Sequence, residues 1–170
     1  MIKATAKLIL ALNGNVKKSQ IAAGFAWGML LGIIPAGNFF WIVLFIVSFF
    51  FRHNHGSKLL SLVIIKLLSP LVVYQIDALG WWILHIDSFR PFFISMFNMP
   101  FVPFTKFNNT LVMGGLAIGL VLWIPVFFMF MALIPLYRNH VAVKIRNSKV
   151  IKAIMKFPLF SLIEKILIKD

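Results

Sequence analysis

The sequence lacks cysteine and is poor in acidic residues, and these two absences exclude several classes of protein. Without a thiol, the 170-residue chain forms no disulfide, no thiolate nucleophile and no cysteine-ligated metal site. Its four acidic residues offer little to paired-carboxylate catalysis, and no catalytic-serine, zinc-protease or phosphate-loop motif is present. We therefore predict a non-enzymatic protein that uses no cofactor and no metal.

Charged residues are also scarce, at 12% of the chain, whereas 61% of its residues are hydrophobic. A soluble domain carries roughly a quarter of charged residues. Lys and Arg outnumber the acids 17 to 4, which gives a net charge of +13 and in a soluble protein would suggest nucleic-acid binding. Because the polar residues are too few to form such a surface, we exclude nucleic acid and predict a multi-pass membrane protein with basic borders.

Three apolar runs define the predicted membrane domain, residues 19–137, as an all-α integral membrane fold. The first run, 19–51, is interrupted at Pro35-Ala36-Gly37-Asn38, and its arms 21–34 and 39–51 are short for a hydrocarbon core of about 30 Å. We expect a re-entrant hairpin there. The second run, 59–86, is interrupted at Ser69-Pro70, and the third, 111–137, is long enough to cross with tilt. Between them, residues 87–110 are predicted to lie at the outer interface without forming a helix.

The basic residues predict the orientation of the chain. Fourteen of the 17 lie in the N-terminal segment, in the 52–58 link and in the tail from Arg138 onward. The positive-inside bias then places both termini in the cytoplasm, with either two or four crossings. Residues 1–18 and 138–170 have the amphipathic pattern of helices that lie on the anionic inner leaflet or pack on the membrane domain.

Small residues and helix breaks mark the candidate site. Gly24, Gly28 and Gly32 recur every four residues, a spacing that lets another helix approach closely, and Gly115 with Gly119 forms a second such face that we expect to meet a partner helix. Helices broken within a membrane tend to surround cavities, because their free backbone groups need partners. The breaks and nearby ionisable residues that form the candidate substrate path are Pro35, Gly37, Ser69, Pro70, Lys66 and Asp77.

Lys66 and Asp77 matter because an unpaired charge at membrane depth costs about 2.5 to 3.5 kcal/mol on insertion scales. If the chain folds back at Pro70, the two side chains can pair. The alternatives are binding of a coupling ion or a lipid headgroup, or extension of Lys66 to an interface. In the 52–58 link, His53 and His55 are expected to be solvated and to face headgroups, since two histidines without a nearby acid do not make a metal site.

One pattern in the chain resembles a known family. It reads Gly24-Phe25-Ala26-Trp27-Gly28-x3-Gly32-x2-Pro35-x-Gly37, then Arg52-x-Asn54, then Ser69-Pro70. This is similar to the bacterial membrane family catalogued as domain of unknown function 2062, over roughly residues 19–90 and with Ser69 where that family usually has asparagine. The resemblance implies a bacterial inner-membrane protein. Members occur alone or attached to membrane glycosyltransferase modules, and small versions accompany large envelope proteins.

Two functional hypotheses follow. The leading one is a non-enzymatic inner-membrane subunit or anchor of a larger envelope assembly that handles or transports lipids. Its expected partners are anionic lipids of the inner leaflet and a larger envelope membrane protein or further copies of itself. The alternative is a small oligomeric transporter or channel whose site lies at the broken helices.

Overall fold

The structure is a computed structural model that describes residues 16–142, and every regular element in this range is helical. The six α-helices are α1 Lys18–Ile33, α2 Phe39–Val47, α3 His55–Leu68, α4 Val73–Leu84, α5 Arg90–Phe97 and α6 Thr110–Leu136. Short 3-10 segments lie at Ser48–Phe50, Ser69–Val72, Asp87–Phe89 and Val102–Thr105. The predicted all-helical class is therefore confirmed.

The chain divides into two compact units, Met1–Met131 and Ala132–Asp170. The second unit begins in the last turns of α6 and continues as the π-helical stretch Tyr137–Ala142. The predicted amphipathic segments 1–18 and 138–170 lie outside the described residues, except for 16–18 and 138–142. The packing described below is that of the first unit.

A tight turn around Pro35 separates α1 from α2. Gly37 adopts φ +87°, a conformation that glycine reaches without a steric penalty. Asn38 then caps α2, because its side-chain oxygen accepts a hydrogen bond from the N–H of Trp41 at 2.8 Å. Its amide nitrogen donates to the carbonyl of Pro35 at 2.7 Å, which closes the turn. The interruption at Pro35 is therefore an ordered, hydrogen-bonded turn between two helices.

The two arms form a hairpin that brings the chain back to its starting level. Near the turn, the indole N–H of Trp41 donates to the carbonyl of Leu31 at 2.9 Å. At the open end, the N–H of Asn54 donates to the carbonyl of Gln20 at 2.8 Å. α1 has 16 residues and is about 24 Å long at 1.5 Å per residue, and the second arm, Phe39–Phe50, is shorter. Each arm is therefore shorter than a hydrocarbon core of about 30 Å.

α1 packs along α3 through its three regularly spaced glycines. A Cβ added at Gly28 would lie 2.2 Å from the carbonyl oxygen of Lys58, and one added at Gly32 would lie 2.7 Å from the Cβ of Ile65. At Gly24 the nearest atom would be Oγ of Ser57, 2.0 Å away. No side chain fits at these distances, so the glycines allow the two backbones to approach each other directly.

Two serines of α3 complete this helix contact from the opposite side. Ser57 Oγ donates to the carbonyl of Ile21 at 3.1 Å, and Ser61 Oγ donates to the carbonyl of Phe25 at 2.9 Å. Serine hydroxyls at a close helix crossing supply hydrogen bonds that lipid does not offer. The four-residue spacing of Ser57 and Ser61 matches the spacing of the glycines they face.

The second apolar run does not fold back at Ser69-Pro70. Pro70 lies in the 3-10 segment Ser69–Val72 and cannot donate to the carbonyl of Lys66 four residues before it, but the hydroxyl of Ser69 donates to this carbonyl at 3.0 Å. His55–Leu84 therefore continues as one helical stretch of 30 residues. The predicted fold class included broken or re-entrant hairpins, and for the second run a fold-back at Pro70 is wrong, because the helix continues through the break.

α6 runs antiparallel to α1 and covers its turn end. Gly115 lies against Ile34, where an added Cβ would come within 3.2 Å of the Ile34 Cα, and Gly119 lies against Leu30 at 2.4 Å from its Cδ1. Further along, the ring of Phe130 stacks on that of Phe25 at 3.9 Å. The prediction that the glycine face of α6 meets a partner helix is wrong, because α1 of the same chain occupies that face.

α4 and α6 cross at a second pair of glycines that the sequence analysis did not single out. A Cβ on Gly80 would lie 1.8 Å from the carbonyl oxygen of Thr110, and one on Gly114 would lie 1.9 Å from that of Ile76. Both helices belong to stretches long and apolar enough to cross a membrane, His55–Leu84 and Thr110–Asn139. The Gly80–Gly114 crossing fixes these two stretches against each other.

The connection between α4 and α6 contains a helix where none was expected. Pro91 lies in the first turn of α5, a position that tolerates proline because the N–H there has no intrahelical acceptor. The chain then turns through Phe101 and Lys106, which both have positive φ. Val102–Thr105 contacts α2, so this connection lies against the hairpin.

Candidate functional site

Both interruptions of the apolar runs open onto one cavity of about 360 Å³, which we call the Lys66 cavity. Pro35 and Ala36 contribute from the hairpin turn, and Ser69 and Pro70 from the break in the second run. The remaining lining residues are Ile33, Lys66, Val73, Ile76 and Leu111. The structure thus brings together four of the six residues of the predicted substrate path.

Lys66 closes the broken end of α1. Its Nζ donates to the carbonyl of Ile34 at 2.7 Å, and this carbonyl lies just beyond the last residue of α1. A positive charge is favourable there, because carbonyls at a helix C-terminus carry partial negative charge. The hydroxyl of Ser69 donates to the carbonyl of Lys66 at 3.0 Å, so the two lining residues are hydrogen-bonded to each other.

Asp77 does not pair with Lys66, although the sequence analysis had favoured an ion pair. The carboxylate of Asp77 is exposed and accepts a hydrogen bond from the hydroxyl of Thr110 at the start of α6. Because the helix continues past Pro70, the two side chains stay separated along one axis. Within the described part of the chain, Lys66 has no carboxylate partner.

Gly37, the sixth residue of the predicted path, lines a different cavity. This cavity measures about 500 Å³ and lies between the hairpin turn and the connection from α4 to α6, with Phe39, Phe101, Phe104 and Lys106 among its lining residues. The positive φ of Gly37 explains its presence at the turn. Its part in the site is therefore to shape the turn beside the Lys66 cavity.

Lys58 occupies a buried position at the open end of the hairpin. It is 1% exposed, its Nζ donates to Oγ of Ser48 at 2.8 Å, and the nitrogen lies 3.9 Å from the ring centroid of Phe49 and 4.7 Å from that of Phe45. The 52–58 link was predicted to be basic and solvated, and for Lys58 the solvated position is wrong. Aromatic faces and a hydroxyl replace water around the ammonium.

His53 is buried beside this lysine, at 8% exposure, although a solvated position was expected. Its Nδ1 lies 2.9 Å from the carbonyl of Phe51, and its Nε2 has no hydrogen-bond partner among the described residues. The pKa of His53 is lowered to about 4, chiefly by burial and to a smaller extent by the charges of Lys58 and His55. The imidazole is therefore neutral at physiological pH.

The family-motif residues Arg52 and Asn54 have different surroundings. Asn54 caps α3, since its side-chain oxygen accepts a hydrogen bond from the N–H of Ser57 at 2.8 Å. Its backbone N–H also donates to the carbonyl of Gln20, which joins the start of α3 to the start of α1. Arg52 is exposed at the same end of the hairpin.

Sequence reasoning missed the buried cluster because its signal lies in two separate segments. Little more than one turn of α3 contains Ser57, Lys58 and Ser61. Ser48 lies ten residues before Lys58, at the end of the second hairpin arm. A repeat of Ser57 and Ser61 at the glycine spacing was visible in the sequence. The contact of Lys58 with Ser48 depends on the hairpin and had no local signal.

The fold and site define an all-helical protein with two apolar stretches of membrane-spanning length, a short hairpin and a lysine-containing cavity at its turn. The chain belongs to the bacterial family described as "Uncharacterized protein conserved in bacteria (DUF2062)", whose model matches residues 4–142. The resemblance seen in the sequence is thereby confirmed. Its extent was underestimated, since the match continues past residue 90 through the last apolar stretch.

A relative from Treponema pallidum (strain Nichols), described as an uncharacterized protein, is 30% identical over 159 residues. The alignment covers 94% of this chain and 98% of the relative. No solved structure shows significant similarity to the chain. The chain and this relative therefore share nearly their whole lengths.

Proposed function

We propose that this protein is a non-enzymatic subunit of a bacterial inner-membrane assembly and that it holds an anionic lipid in the Lys66 cavity. The observation that carries the proposal is an apolar cavity containing one ammonium group without a carboxylate partner. An ammonium donates three hydrogen bonds, and one of those of Lys66 is given to Ile34. An anion in the cavity would compensate the remaining charge.

The proposed position in the membrane follows from the lengths of the helices and the sites of the basic residues. His55–Leu84 and Thr110–Asn139 each have 30 residues, or about 45 Å of helix, which is enough to cross with tilt. Lys17, Lys18 and Arg52 are exposed at the open end of the hairpin, where the chain passes Gln20 and Asn54. The positive-inside bias assigns this end to the cytoplasm.

On this arrangement the Lys66 cavity lies within the bilayer, between Lys66 on the His55–Leu84 stretch and Leu111 in the first turn of α6. Lys66 is about 17 Å along the helix from His55, and the hairpin turn reaches the same level. Pro70 and Val73 are exposed at the rim, so lipid has lateral access to the cavity. A charge at this depth is costly unless it is paired or hydrogen-bonded, which favours an anionic occupant.

Native mass spectrometry of the protein released from bacterial membranes in mild detergent tests the lipid. We expect co-purified anionic phospholipid, and we expect Lys66→Gln to lose the phospholipid bound at Lys66, so that fewer phospholipids remain bound per protein. Lys106→Gln is the matched control, because it deletes the same charge from an exposed site at a different cavity. Equal lipid occupancy in the wild-type protein and in Lys66→Gln would contradict lipid binding at Lys66.

The subunit role is supported by the apolar surface that remains on the folded chain. Leu67, Leu71, Tyr74 and Val121 are at least 72% exposed on the two long helical stretches. Such a surface suits lipid and further membrane helices. Purification in gentle detergent is expected to recover a larger membrane partner, and a monomer free of partners from native membranes would contradict this role.

The alternative is a small oligomeric transporter or channel. One observation favours it, namely that both helix interruptions open onto a single cavity, as at the binding sites of transporters built from broken helices. Purified protein in liposomes would then conduct an ion or a small anion, and Lys66→Ala would abolish the flux. Absence of flux at every protein-to-lipid ratio would remove this candidate.

A further inference from the structure

We propose that a second cavity, at the far end of α4, binds a phosphodiester headgroup that also carries hydroxyl groups. This cavity measures about 340 Å³ and is formed by the end of α4, by α5 and by the residues that lead into α6. We call it the Arg90 cavity. Its polar lining residues are His85, Arg90, Asn98, Asn108 and Thr110, and its aromatic walls are Phe93, Phe97 and Phe107.

The polar groups in the Arg90 cavity are free to bind a ligand. The side chains of Arg90, Asn98 and Asn108 line it and have no hydrogen bond or ion pair among the described residues. Arg90 presents the planar donor set that suits phosphate oxygens, and the two carboxamides add further donors. These three exposed side chains border one cavity, and their available donors suit a ligand rich in oxygen.

His85 adds the requirement for a hydroxyl group. Its Nδ1 lies 2.8 Å from the carbonyl of Trp81, and its ring stacks on that of Trp81 at 4.2 Å. In the neutral ring this contact places the proton on Nδ1, which leaves Nε2 as an acceptor for a ligand hydroxyl. A phosphodiester with hydroxyls, such as phosphoglycerol, matches both Arg90 and His85.

The charges around the cavity are compatible with an anion. Asp77 and Asp87 are the carboxylates nearest in the chain, and neither lines the cavity. Asp77 accepts the hydroxyl hydrogen bond of Thr110 instead, and Asp87 is exposed. The guanidinium of Arg90 is therefore the charged group that lines the cavity.

The place of the cavity in the fold agrees with a lipid headgroup as the source of the phosphodiester. His85 directly follows α4 and Thr110 begins α6, so the cavity lies where both long helical stretches end. Aromatic and cationic side chains are favoured at this level of a bilayer. The Gly80–Gly114 crossing lies between the Arg90 and Lys66 cavities, so occupancy of one does not require occupancy of the other.

Binding to the full-length protein in detergent tests the proposal, with dihexanoyl phosphatidylglycerol, inorganic phosphate and dihexanoylglycerol as probes. We expect saturable binding of the phosphatidylglycerol, about tenfold weaker in Arg90→Gln because one charge-assisted contact is lost. Asn108→Leu should weaken it by a smaller factor. All variants are compared in a Lys66→Gln background, so that binding at the Lys66 cavity does not contribute. Lys106→Gln is the control and should not change binding in that background.

The outcomes distinguish the sources of the ligand. Inorganic phosphate that binds as tightly as the phosphatidylglycerol, with the same loss in Arg90→Gln, would keep the phosphate site and assign it to a soluble ligand. Equal binding of dihexanoylglycerol would overturn the proposal, since that probe lacks phosphate. Equal weakening by Arg90→Gln and Lys106→Gln would also overturn it, because the effect would then be one of net charge.

Discussion

Lys58 shows how a single buried cation is accommodated in this chain. The ammonium has the hydroxyl of Ser48 and the faces of two phenylalanine rings around it, and it pairs with no carboxylate of residues 16–142. Each cation–π contact contributes up to about 2 kcal/mol when water is excluded. These contacts offset part of the cost of removing the charge from water, and the alkyl stem fills the space between α3 and the second hairpin arm.

We predict that packing contributes more than charge at Lys58. Lys58→Ala leaves a cavity and should lower the free energy of unfolding by about 3 kcal/mol. Lys58→Met keeps the length of the stem and removes a desolvated charge, so it should recover most of that loss. Unfolding by a denaturing detergent, followed by circular dichroism, measures the free energy of unfolding of both variants. If Met is as damaging as Ala, the ammonium contacts themselves hold the hairpin.

His53 makes the stability of the protein dependent on pH. Its pKa in the folded protein is about 4, below the ordinary value of 6.5, so the unfolded chain binds the proton more readily. Stability is then lost as pH falls from about 6.5 towards 4, and the loss at pH 5 should be roughly 2 kcal/mol. Unfolding midpoints at pH 7 and pH 5 measure it.

Two variants assign this pH effect. His53→Gln should abolish most of the difference between pH 7 and pH 5. His53→Asn, which also cannot bind a proton, should do the same. A pH dependence that persists in His53→Gln would show that another group titrates.

At the scale of the elements, three helix contacts differ in how closely their backbones approach. α1 meets α3 at Gly28, and α4 meets α6 at Gly80, with less than 2.5 Å between an added Cβ and a carbonyl oxygen in both cases. At Gly115, where α6 meets α1, the nearest atom would be 3.2 Å away. The first two contacts are therefore fixed by backbone, whereas the third has room to adjust.

We predict that alanine substitution follows this order. Gly28→Ala forces α1 away from α3 and from the serine hydrogen bonds, and should cost more than about 3 kcal/mol. Gly115→Ala needs a displacement of a few tenths of an ångström and should cost about 1 kcal/mol or less. Unfolding of both variants in one detergent gives the comparison. Equal costs would mean that the close approach at Gly28 does not limit the packing.

Elements that depend on local sequence signals could be predicted, whereas elements that depend on contacts between distant residues could not. The hairpin break, its glycine face and the last apolar helix were predicted, because Pro35, Gly28 and the 111–137 run are local signals. Whether the chain reverses at Pro70 was not, since a proline in the first turn of a 3-10 segment permits continuation. The Lys66–Ile34 hydrogen bond joins residues 32 apart and had no local signal.

At the scale of the whole molecule, the hairpin is shorter than the helical stretch His55–Leu84 beside it. α1 runs beside the first part of His55–Leu84 and ends at Lys66, while that stretch continues to the Arg90 cavity. Along His55–Leu84 the hairpin turn ends at Lys66, about 27 Å before Leu84, whereas along α6 it lies at Gly115, about 8 Å from Thr110. The shorter length of the hairpin predicts a re-entrant hairpin and two crossings, in place of four.

Cysteine substitution tests this topology directly, because the chain has no native cysteine to react. With a membrane-impermeant maleimide on spheroplasts, Asn98→Cys should label from outside, since Asn98 is exposed beside the Arg90 cavity. Arg52→Cys, at the open end of the hairpin, should be labelled only after the spheroplasts are lysed. Ala36→Cys is the decisive variant: it is exposed on the protein surface, yet it lies at the level of Lys66, so lipid should shield it from reagent on both sides. Labelling of Ala36→Cys from outside, as fast as Asn98→Cys, would show that the hairpin crosses the membrane and that there are four crossings.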